Sequence, residues 1–426
     1  MIVAVPKPRQ ASTAQTRARI VHAAREMFIA YGYRSTSLRS IAVTAGVSHP
    51  GLLKHFASKD ELLATVVDGL EDANVELYDG VVAASEPGAL PFVEIARQNE
   101  RTRGYLALFA ALTGEASTPS HPAHDLMRAR YARVTAMSTE VMEDAVLHGT
   151  VSDDRDPHGE AIRTAAAWDG LQLIEQYLPD RVDVVTMLEE REASWALPVG
   201  WRDPEGETPD AEAGVFRPMV DIVPAEDEIG YASGRRKRAK ILADAMALFA
   251  AEGYGDTSLR EIAEKVGVSK STLMHHYPTK EALLGAVLAE RDRTIQSRAS
   301  YVPADTATAE LLSLPAGAAD NAATAPGLIE VYAVLSCEAV PASHPAHGHF
   351  QARFTHVIDR FAELFRGAQR EGSMPAHRDP EHEAIWLAAL WDGLQYQWLY
   401  DRDAVDVAEH LAAHLADVLP GRHPAR

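Results

Sequence analysis

The sequence has only one cysteine, Cys337, among its 426 residues. A single thiol excludes an intrachain disulfide framework and a multi-cysteine zinc site, and it is typical of a protein kept in a reducing cytosol. No apolar run approaches the roughly 20 residues that cross a membrane, and the start, MIVAVPKPRQ, lacks the apolar stretch of a signal peptide. We therefore expect a cytoplasmic protein with no membrane partner.

Positive charge is also scarce, since 41 Lys and Arg face 61 Asp and Glu, for a formal net charge of −20. Such acidity ordinarily argues against a nucleic-acid partner. However, residues 1–67 hold nine basic against three acidic side chains, and residues 233–288 hold nine against six. Because phosphate binding depends on charge within about one Debye length, roughly 10 Å, these two stretches remain compatible with DNA binding.

Catalytic motifs are missing from the sequence. It contains no GxSxG, GxxxxGK[ST], GxGxxG or HExxH pattern, and Cys337 lies in the apolar stretch VLSCEAV, which favours a core position. The spacing of His121 and His124 could suit a metal, but the repeated SHPAH favours a helix start capped by Ser120 or Ser343. We predict no catalytic residue, no metal and no cofactor, and therefore no enzyme.

What the sequence does contain is a long internal repeat. Residues 17–63 align without gaps on residues 238–284, and 22 of the 47 positions are identical. Further on, SHPAH and WDGLQ each occur twice, 223 residues apart. A repeat of this length is a whole domain assembly rather than a solenoid module. The chain is predicted to be two copies of a unit of about 200 residues, a length that suits one or two domains.

The two copies are separated by residues 197–234, which include five prolines, five glycines and clusters of acid. This composition is typical of a linker. Trp201 and Val215–Phe216 are apolar residues within it, and we expect them to hold parts of the linker against a domain.

The start of each copy has the pattern of a helix-turn-helix. Apolar residues from Ile20 to Tyr31 follow the helical period, and Gly32 is placed to end that helix. Thr36-Ser37 then precede a two-turn helix, and Gly46-Val47-Ser48 form a turn before a second short helix over residues 48–56. The second copy repeats each of these features.

At these residues the sequence resembles the TetR family of bacterial transcriptional regulators. The resemblance is carried by Thr36 to Arg39, Gly46 to Ser48, His55-Phe56 and Lys59 to Leu62, with their counterparts Thr257 to Arg260, Gly267 to Ser269, His276-Tyr277 and Lys280 to Leu283. It implies an all-α protein with two DNA-binding heads and two helical ligand-binding and dimerisation domains. The implied boundaries are 14–74 and 75–196 for the first copy, 197–234 for the linker, and 235–295 and 296–420 for the second copy.

The second short helix of each head is expected to enter the major groove of a double-stranded operator, while flanking groups contact phosphates. The expected contacts are Thr36, Ser37, Arg39, Ser48, His49, Gly51, Lys54, His55 and Lys59 in the first copy, and Thr257, Ser258, Arg260, Ser269, Lys270, Ser271, Thr272, His275, His276 and Lys280 in the second. The family commonly has a tyrosine where this chain has Leu53 and Met274. Pro50-Gly51 also replaces Ser271-Thr272, so one head could be degenerate.

Two mid-helix glycines, Gly170 and Gly393, predict a closely packed helix partner in each body. By the resemblance, residues 160–177 and 184–195 pair with residues 381–400 and 405–419, which makes one chain a pseudo-dimer. Pairing of each copy with its equivalent in a second chain, or further homo-oligomerisation, stays open.

We predict a transcriptional regulator, a repressor released by an unidentified small-molecule inducer with unknown ligand residues. The alternative is a DNA-binding or protein-interaction module with one degenerate head and no inducer.

Overall fold

A computed structural model describes residues 8–33, 35–101, 105–203, 232–254, 258–298 and 304–421. Within these ranges the chain forms eighteen α-helices and no β-strand, which confirms the predicted all-α class. None of the helices in the described part is both long enough and apolar enough to cross a bilayer. Residues 8–203 are called unit one and residues 232–421 unit two.

Unit one contains nine helices in its described residues. They are α1 (Pro8–Tyr31), α2 (Leu38–Thr44), α3 (His49–Leu52), α4 (Lys59–Ala84), α5 (Phe92–Arg101), α6 (Tyr105–Glu115), α7 (His124–Leu147), α8 (Pro157–Tyr177) and α9 (Val184–Trp195). Helices α1–α3 form head one, and the later helices form the body.

Unit two repeats the same order. Its helices are α10 (Ala232–Glu252), α11 (Leu259–Val266), α12 (Lys270–His276), α13 (Lys280–Arg298), α14 (Ala307–Thr324), α15 (Pro326–Glu338), α16 (His347–Arg370), α17 (Pro380–Tyr400) and α18 (Val407–Val418). Helices α10–α12 form head two. Helix α10 begins at Ala232, two residues before the predicted end of the linker.

Each head is organised around one apolar cluster. Phe28, Ile41 and Leu52 are fully buried in head one, one from each helix, and head two buries equivalent residues in the same way. The long first helix ends where predicted, at Gly32 with φ 78° and at Gly253 with φ 71°, a backbone conformation that side chains with a Cβ rarely adopt. The spacing of apolar residues and the glycine stops are thus sufficient to define the heads.

The prediction of serine caps within SHPAH is wrong. Helix α7 begins at His124 after Ala123, and no side-chain hydroxyl caps it. Instead, Nδ1 of His121 accepts a hydrogen bond from the backbone N–H of Ala123 at 3.2 Å. The second copy does the same, since Nδ1 of His344 accepts from the N–H of Ala346 at 3.2 Å. The proline-containing segment is a turn outside the helix, and the imidazole stabilises that turn without capping the helix.

The two bodies meet where α8 of unit one crosses α17 of unit two. A Cβ on Gly170 would overlap the backbone carbonyl oxygen of Ala389, and a Cβ on Gly393 would overlap that of Ala166. The predicted close packing at both glycines is therefore confirmed. Because Gly170 corresponds to Gly393 and Ala166 to Ala389, the two contacts are reciprocal, as in an isologous interface.

Aromatic residues repeat this reciprocity at the ends of the same helices. The hydroxyl of Tyr400 donates to the carbonyl of Thr113 at 2.9 Å, and that of Tyr177 donates to the carbonyl of Ser336 at 2.5 Å. Tyr177 also stacks on His347 with ring centroids 5.0 Å apart. The aromatic contacts between the two units are thus reciprocal, like the glycine contacts.

The beginning of the predicted linker is attached to unit two. Trp201 contacts His377 edge to face at 4.9 Å, and the guanidinium of Arg202 donates to the carbonyl of Gly372 at 2.9 Å. This agrees with the expected role of Trp201. Val215–Phe216 lie outside the described residues.

Candidate nucleic-acid interface

The helix-turn-helix of head two is held by serine caps at both of its short helices. Ser258 and Glu261 form a reciprocal capping box at the start of α11. Ser269 caps α12, where its hydroxyl accepts from the N–H of Thr272 at 3.1 Å. Helix α12 then runs for seven residues from Lys270 to His276. Both caps were among the predicted site residues, and their hydroxyls fix the loop that aims the helix.

Head one has the same caps but a shorter second helix. Ser37 forms a capping box with Ser40, and Ser48 accepts from the N–H of Gly51 at 3.1 Å. Helix α3 covers only the four residues from His49 to Leu52, and the chain continues in turns up to His55. The helix predicted for residues 48–56 is therefore reduced to one turn, and the low helix propensity of Gly51 favours this shortening.

Most of the predicted contact side chains lie on the solvent side of these helices. Those that are exposed are Ser37, Arg39, Ser48, Lys54, Ser258, Arg260, Ser269, Lys270, Ser271 and His275, and those that are half-buried are His49, Gly51, His55, Lys59, Thr272, His276 and Lys280. Leu53 and Met274, where the family commonly has tyrosine, are each 42% exposed among them. The outer face of each head thus carries both cationic and apolar groups.

Three predicted phosphate contacts are engaged inside the heads instead. Thr36 is buried, and its hydroxyl donates to the carbonyl of Gly32 at 2.8 Å. The ammonium of Lys59 donates to the carbonyl of Tyr33 at 3.0 Å and lies 4.2 Å from the centre of that ring. Lys280 makes the equivalent hydrogen bond and ring contact with Tyr254. Lys59 and Lys280 tie each head to the start of its next helix, and Thr36 is bonded to the end of α1. Contact of these three residues with phosphate stays a prediction.

Two further predicted contact residues are Arg260 and Thr257. Arg260 is exposed, and its guanidinium pairs with Glu264 one turn along α11 at 2.9 Å. An exposed pair of this kind is weak and can be exchanged for a phosphate. Thr257 lies outside the described residues.

Basic residues of α10 belong to the same surface but were not included in the predicted set. Burial lowers the pKa of the His276 imidazole, and the nearby His275 lowers it further. Lys237 and Arg238 are also close enough to contribute to this lowering. His276 is therefore held neutral near pH 7, as a hydrogen-bonding group rather than a cation. The signal for Lys237 and Arg238 was the basic run that leads into the first helix of head two.

A separate cleft lies in the body of unit one. It lies among α4, α5, α7 and α8, is partly open to solvent and has a cavity volume of about 90 Å³. Tyr78, Phe92 and Trp168 supply aromatic walls. The indole N–H of Trp168 and the side-chain oxygen of Asn74 are buried there with no hydrogen-bond partner in the described part of the chain. Unpartnered polar atoms in an apolar cleft are suited to orienting a small molecule.

Charged groups form the inner end of this cleft. Glu71 accepts from Arg130 at 2.9 Å and also from Arg133, so it is paired twice. The hydroxyl of Tyr131 donates to Asp169 at 2.7 Å, while burial raises the pKa of that carboxyl. The inner end therefore presents hydrogen-bonding groups with little net charge.

Larger side chains stand at two equivalent positions in the body of unit two. Phe361 stands at the position of Ser138 and stacks on Trp391 with ring centroids 6.5 Å apart. Arg291 stands at the position of Leu70, pairs with Asp292 at 2.9 Å and covers the ring of Tyr332. The two bodies thus share a scaffold but differ in the side chains within it.

Other residues considered in the sequence have structural roles. Cys337 is buried against Gly114 at the unit interface, and burial raises the pKa of its thiol to about 12. The thiolate needed of a nucleophile is therefore absent near neutral pH. Among the residues that the structure describes, no three His, Cys, Asp or Glu side chains are arranged to hold a metal ion.

A three-helix head with serine-capped short helices, present twice and followed each time by a helical body, defines the class of helix-turn-helix regulators. A family model described as "Bacterial regulatory proteins, tetR family" matches residues 20–66 and 241–287, and one described as "BetI-type transcriptional repressor, C-terminal" matches residues 337–420. The chain belongs to the TetR family, with two such units in tandem. It is a DNA-binding transcriptional regulator, as predicted, and the matched families describe regulators rather than enzymes.

Individual relatives each match about one unit. The chain is 28% identical over 190 residues to the HTH-type transcriptional repressor KstR2 of Rhodococcus jostii (strain RHA1), which covers 39% of this chain and 84% of the relative. It is 24% identical over 172 residues to the regulator SrpR of Pseudomonas putida, covering 40% and 79%. The solved structure of Salmonella enterica GusR is 23% identical and covers 44% of this chain and 96% of its own, with a TM-score of 0.36.

Proposed function

We propose that one chain acts as a complete ligand-responsive repressor in the cytoplasm, with its two units serving as the halves of a dimer. The observation that carries the proposal is the reciprocal packing of Gly170 on Ala389 and of Gly393 on Ala166. An isologous contact of this kind pairs two like units about a two-fold axis. It presents two heads to one duplex, where successive major grooves recur at about 34–36 Å.

The proposed reading surface consists of α3, α12 and their flanks. Lys54 and Lys270 are exposed cations at the DNA face, and His49, His275 and His276 offer imidazole groups to base edges. The exposed N-terminal turns at Ser37 and Ser258 supply hydroxyls and amides for phosphates. Because α3 and α12 differ in length and sequence, the two half-sites of the operator differ as well.

The proposed inducer site is the cleft of unit one. The inducer is a neutral or weakly charged molecule with an apolar part that fits against Tyr78, Phe92 and Trp168. It also has an acceptor for the indole N–H of Trp168 and a donor for the side-chain oxygen of Asn74. Binding releases DNA if the molecule prefers the arrangement of heads that does not fit the operator. The repressor mode is taken from the relative named KstR2 and from the BetI-type match.

The proposal is tested by selecting bound duplexes from a random pool and weighing the complex. We expect one chain on one duplex that holds two unequal half-sites. Two chains on each duplex would contradict the single-chain arrangement, and failure to enrich any sequence would contradict operator recognition.

The short α3 favours a second candidate, in which head one has become an interaction surface and only head two reads DNA. In that case the selected duplexes contain a single half-site, and replacement of Lys54 leaves binding unchanged. The same selection experiment therefore separates the two candidates.

A further inference from the structure

A buried cluster of charged side chains lies between the two bodies. We call it the interface cluster. Unit one contributes Arg155, Glu160, Arg163 and Arg191, and unit two contributes Arg378, Glu383, His414 and Asp417, all with side chains no more than 12% exposed. Charges that are shielded from water in this way interact strongly, and an unbalanced set is costly.

Asp417 links the two units within this cluster. Its carboxylate accepts from Arg155 of unit one at 3.2 Å, from Arg378 of unit two at 3.0 Å and from the backbone N–H of Gly200 at 2.8 Å. The equivalent position in unit one is Ser194, whose hydroxyl donates to the carbonyl of Arg191 at 2.7 Å. Only unit two therefore supplies this acid.

The neighbouring contacts are unequal in the same sense. Arg191 pairs with Glu383 at 3.4 Å and lies over the ring of Trp386 at 4.3 Å, both in unit two. The unit-one residue equivalent to Trp386 is Arg163. A pair of unit ones would therefore place Arg191 against Arg163, a like-charge contact, in both symmetry-related positions.

The number of charges that each unit brings to the cluster also favours pairing of unit one with unit two. Burial lowers the pKa of His414 to about 3, so this side chain is neutral near pH 7. Unit one then brings three cations and one anion, and unit two brings one cation and two anions. Together they leave one excess positive charge. Two unit ones would leave four positive charges, and two unit twos would leave two negative charges.

We infer that the interface cluster makes unit one select unit two and reject a second copy of itself. Arg155, Arg191 and Asp417 provide the attraction, and the Arg191–Arg163 encounter provides the rejection. The inference rests on the proposed single-chain pseudo-dimer. It adds the chemical reason why chains do not pair through equivalent units.

The test uses the full chain with a protease site placed within residues 204–231, cleaved after folding. Isotope-labelled and unlabelled samples of the cleaved protein are mixed in mild urea until labelled and unlabelled partners have exchanged. Native mass spectrometry then identifies every pair. We expect only pairs of one unit one with one unit two. Random pairing would put two copies of the same unit in about half of all complexes. That proportion of like pairs would overturn the inference.

The decisive variant exchanges the two equivalent residues, Ser194→Asp with Asp417→Ser. In the pair of unit one with unit two, the net charge of the interface cluster is unchanged. In a pair of unit ones the excess falls from four positive charges to two, and in a pair of unit twos it falls from two negative charges to none. We expect like pairs to rise at least about tenfold, and unchanged selectivity would overturn the inference. Glu190→Gln, which removes the exposed contact with His382 at the edge of the interface, is the matched control and leaves selectivity unaltered.

Two further results keep the conclusions apart. If the exchange variant does not fold, Asp417→Ser alone is used, and we expect it to raise pairs of unit two because it removes their excess negative charge. If the uncleaved wild-type chain weighs two copies on its operator, the single-chain proposal fails, although the preference of unit one for unit two is still read from the exchanged pairs.

Discussion

The two units make the same backbone contact at the helix crossing between their bodies, but the second short helices of their heads differ. At the interface, Gly170 and Gly393 make the same backbone contact in both directions. At the reading surface, α3 has four residues with Pro50 and Gly51, whereas α12 has seven with Ser271 and Thr272. Backbone-to-backbone contact leaves no room for another residue, while an exposed helix face tolerates change. Backbone packing therefore constrains the crossing of α8 and α17, whereas the reading surface is available for two different half-sites.

The contact between the two bodies is disrupted most directly by Gly393→Ala. The new Cβ would overlap the carbonyl oxygen of Ala166, which belongs to the backbone and cannot rotate away. We expect the free energy of unfolding to fall by about 3 kcal/mol or more, with loss of operator binding. Urea unfolding of the intact chain measures this.

The matched control is Gly285→Ala in α13, where a Cβ would meet nothing within 4 Å. This substitution raises helix propensity and should stabilise the chain by up to about 1 kcal/mol. Equal stabilities for the two variants would show that α8 and α17 do not pack as described.

A difference close to the interface predicts that unit two is the more acid-sensitive. His410 is buried in α18, its pKa is lowered to about 4 by burial, and unit one has Met187 at the equivalent position. The unfolded chain takes up a proton near pH 6.5, whereas the folded chain does not. The stability contributed by neutral His410 is therefore complete above pH 6.5 and is lost as the pH falls towards 4.

His410→Met introduces the residue of unit one and should remove this part of the acid sensitivity. The wild type should lose up to about 3 kcal/mol more than the variant between pH 7 and pH 4, because each pKa unit corresponds to about 1.4 kcal/mol. Urea unfolding at several pH values checks this. His344 and His414 titrate in both proteins, so the difference isolates His410, and parallel curves would contradict the assignment.

The reading surface is tested by giving head two the dipeptide of head one, Ser271→Pro with Thr272→Gly. This removes two hydroxyls and the backbone N–H of residue 271, whereas the N–H at position 272, which donates to Ser269, is kept. We expect operator affinity to fall by about 10- to 100-fold, since each good base contact contributes about 1–3 kcal/mol. Fluorescence anisotropy at fixed salt measures the change.

The reciprocal variant, Pro50→Ser with Gly51→Thr, should lengthen α3 and change the preferred half-site of head one. A Cβ at Gly51 would lie 3.0 Å from the hydroxyl of Ser48, so a small adjustment of that cap is needed. Equal affinity of both variants and the wild type for every duplex would mean that these helices do not read DNA.

The heads and the close helix crossing could be predicted from the sequence because their signals are local. Apolar spacing, the stop at Gly32 and the glycine within α8 each act over a few residues. The interface cluster could not be predicted, since Arg155 and Asp417 are 262 positions apart and neither belongs to a local pattern. The burial of Thr36 was missed for a related reason. A threonine before a helix looks like a cap, and its bond to Gly32 depends on how α1 ends.

The smallest expected effect comes from replacing single lysines, and it distinguishes a lysine that contacts DNA from one that stabilises the head. Lys270 is exposed at the start of α12, so Lys270→Gln should weaken binding severalfold and reduce the slope of log affinity against log salt by about one. Lys280 instead bonds the carbonyl of Tyr254 and lies 4.0 Å from that ring. Lys280→Gln should therefore lower the stability of head two by about 1–3 kcal/mol and leave the slope unchanged. If Lys280→Gln alone reduces the slope, its ammonium must turn outward on DNA, and the division between supporting and reading residues has to be redrawn.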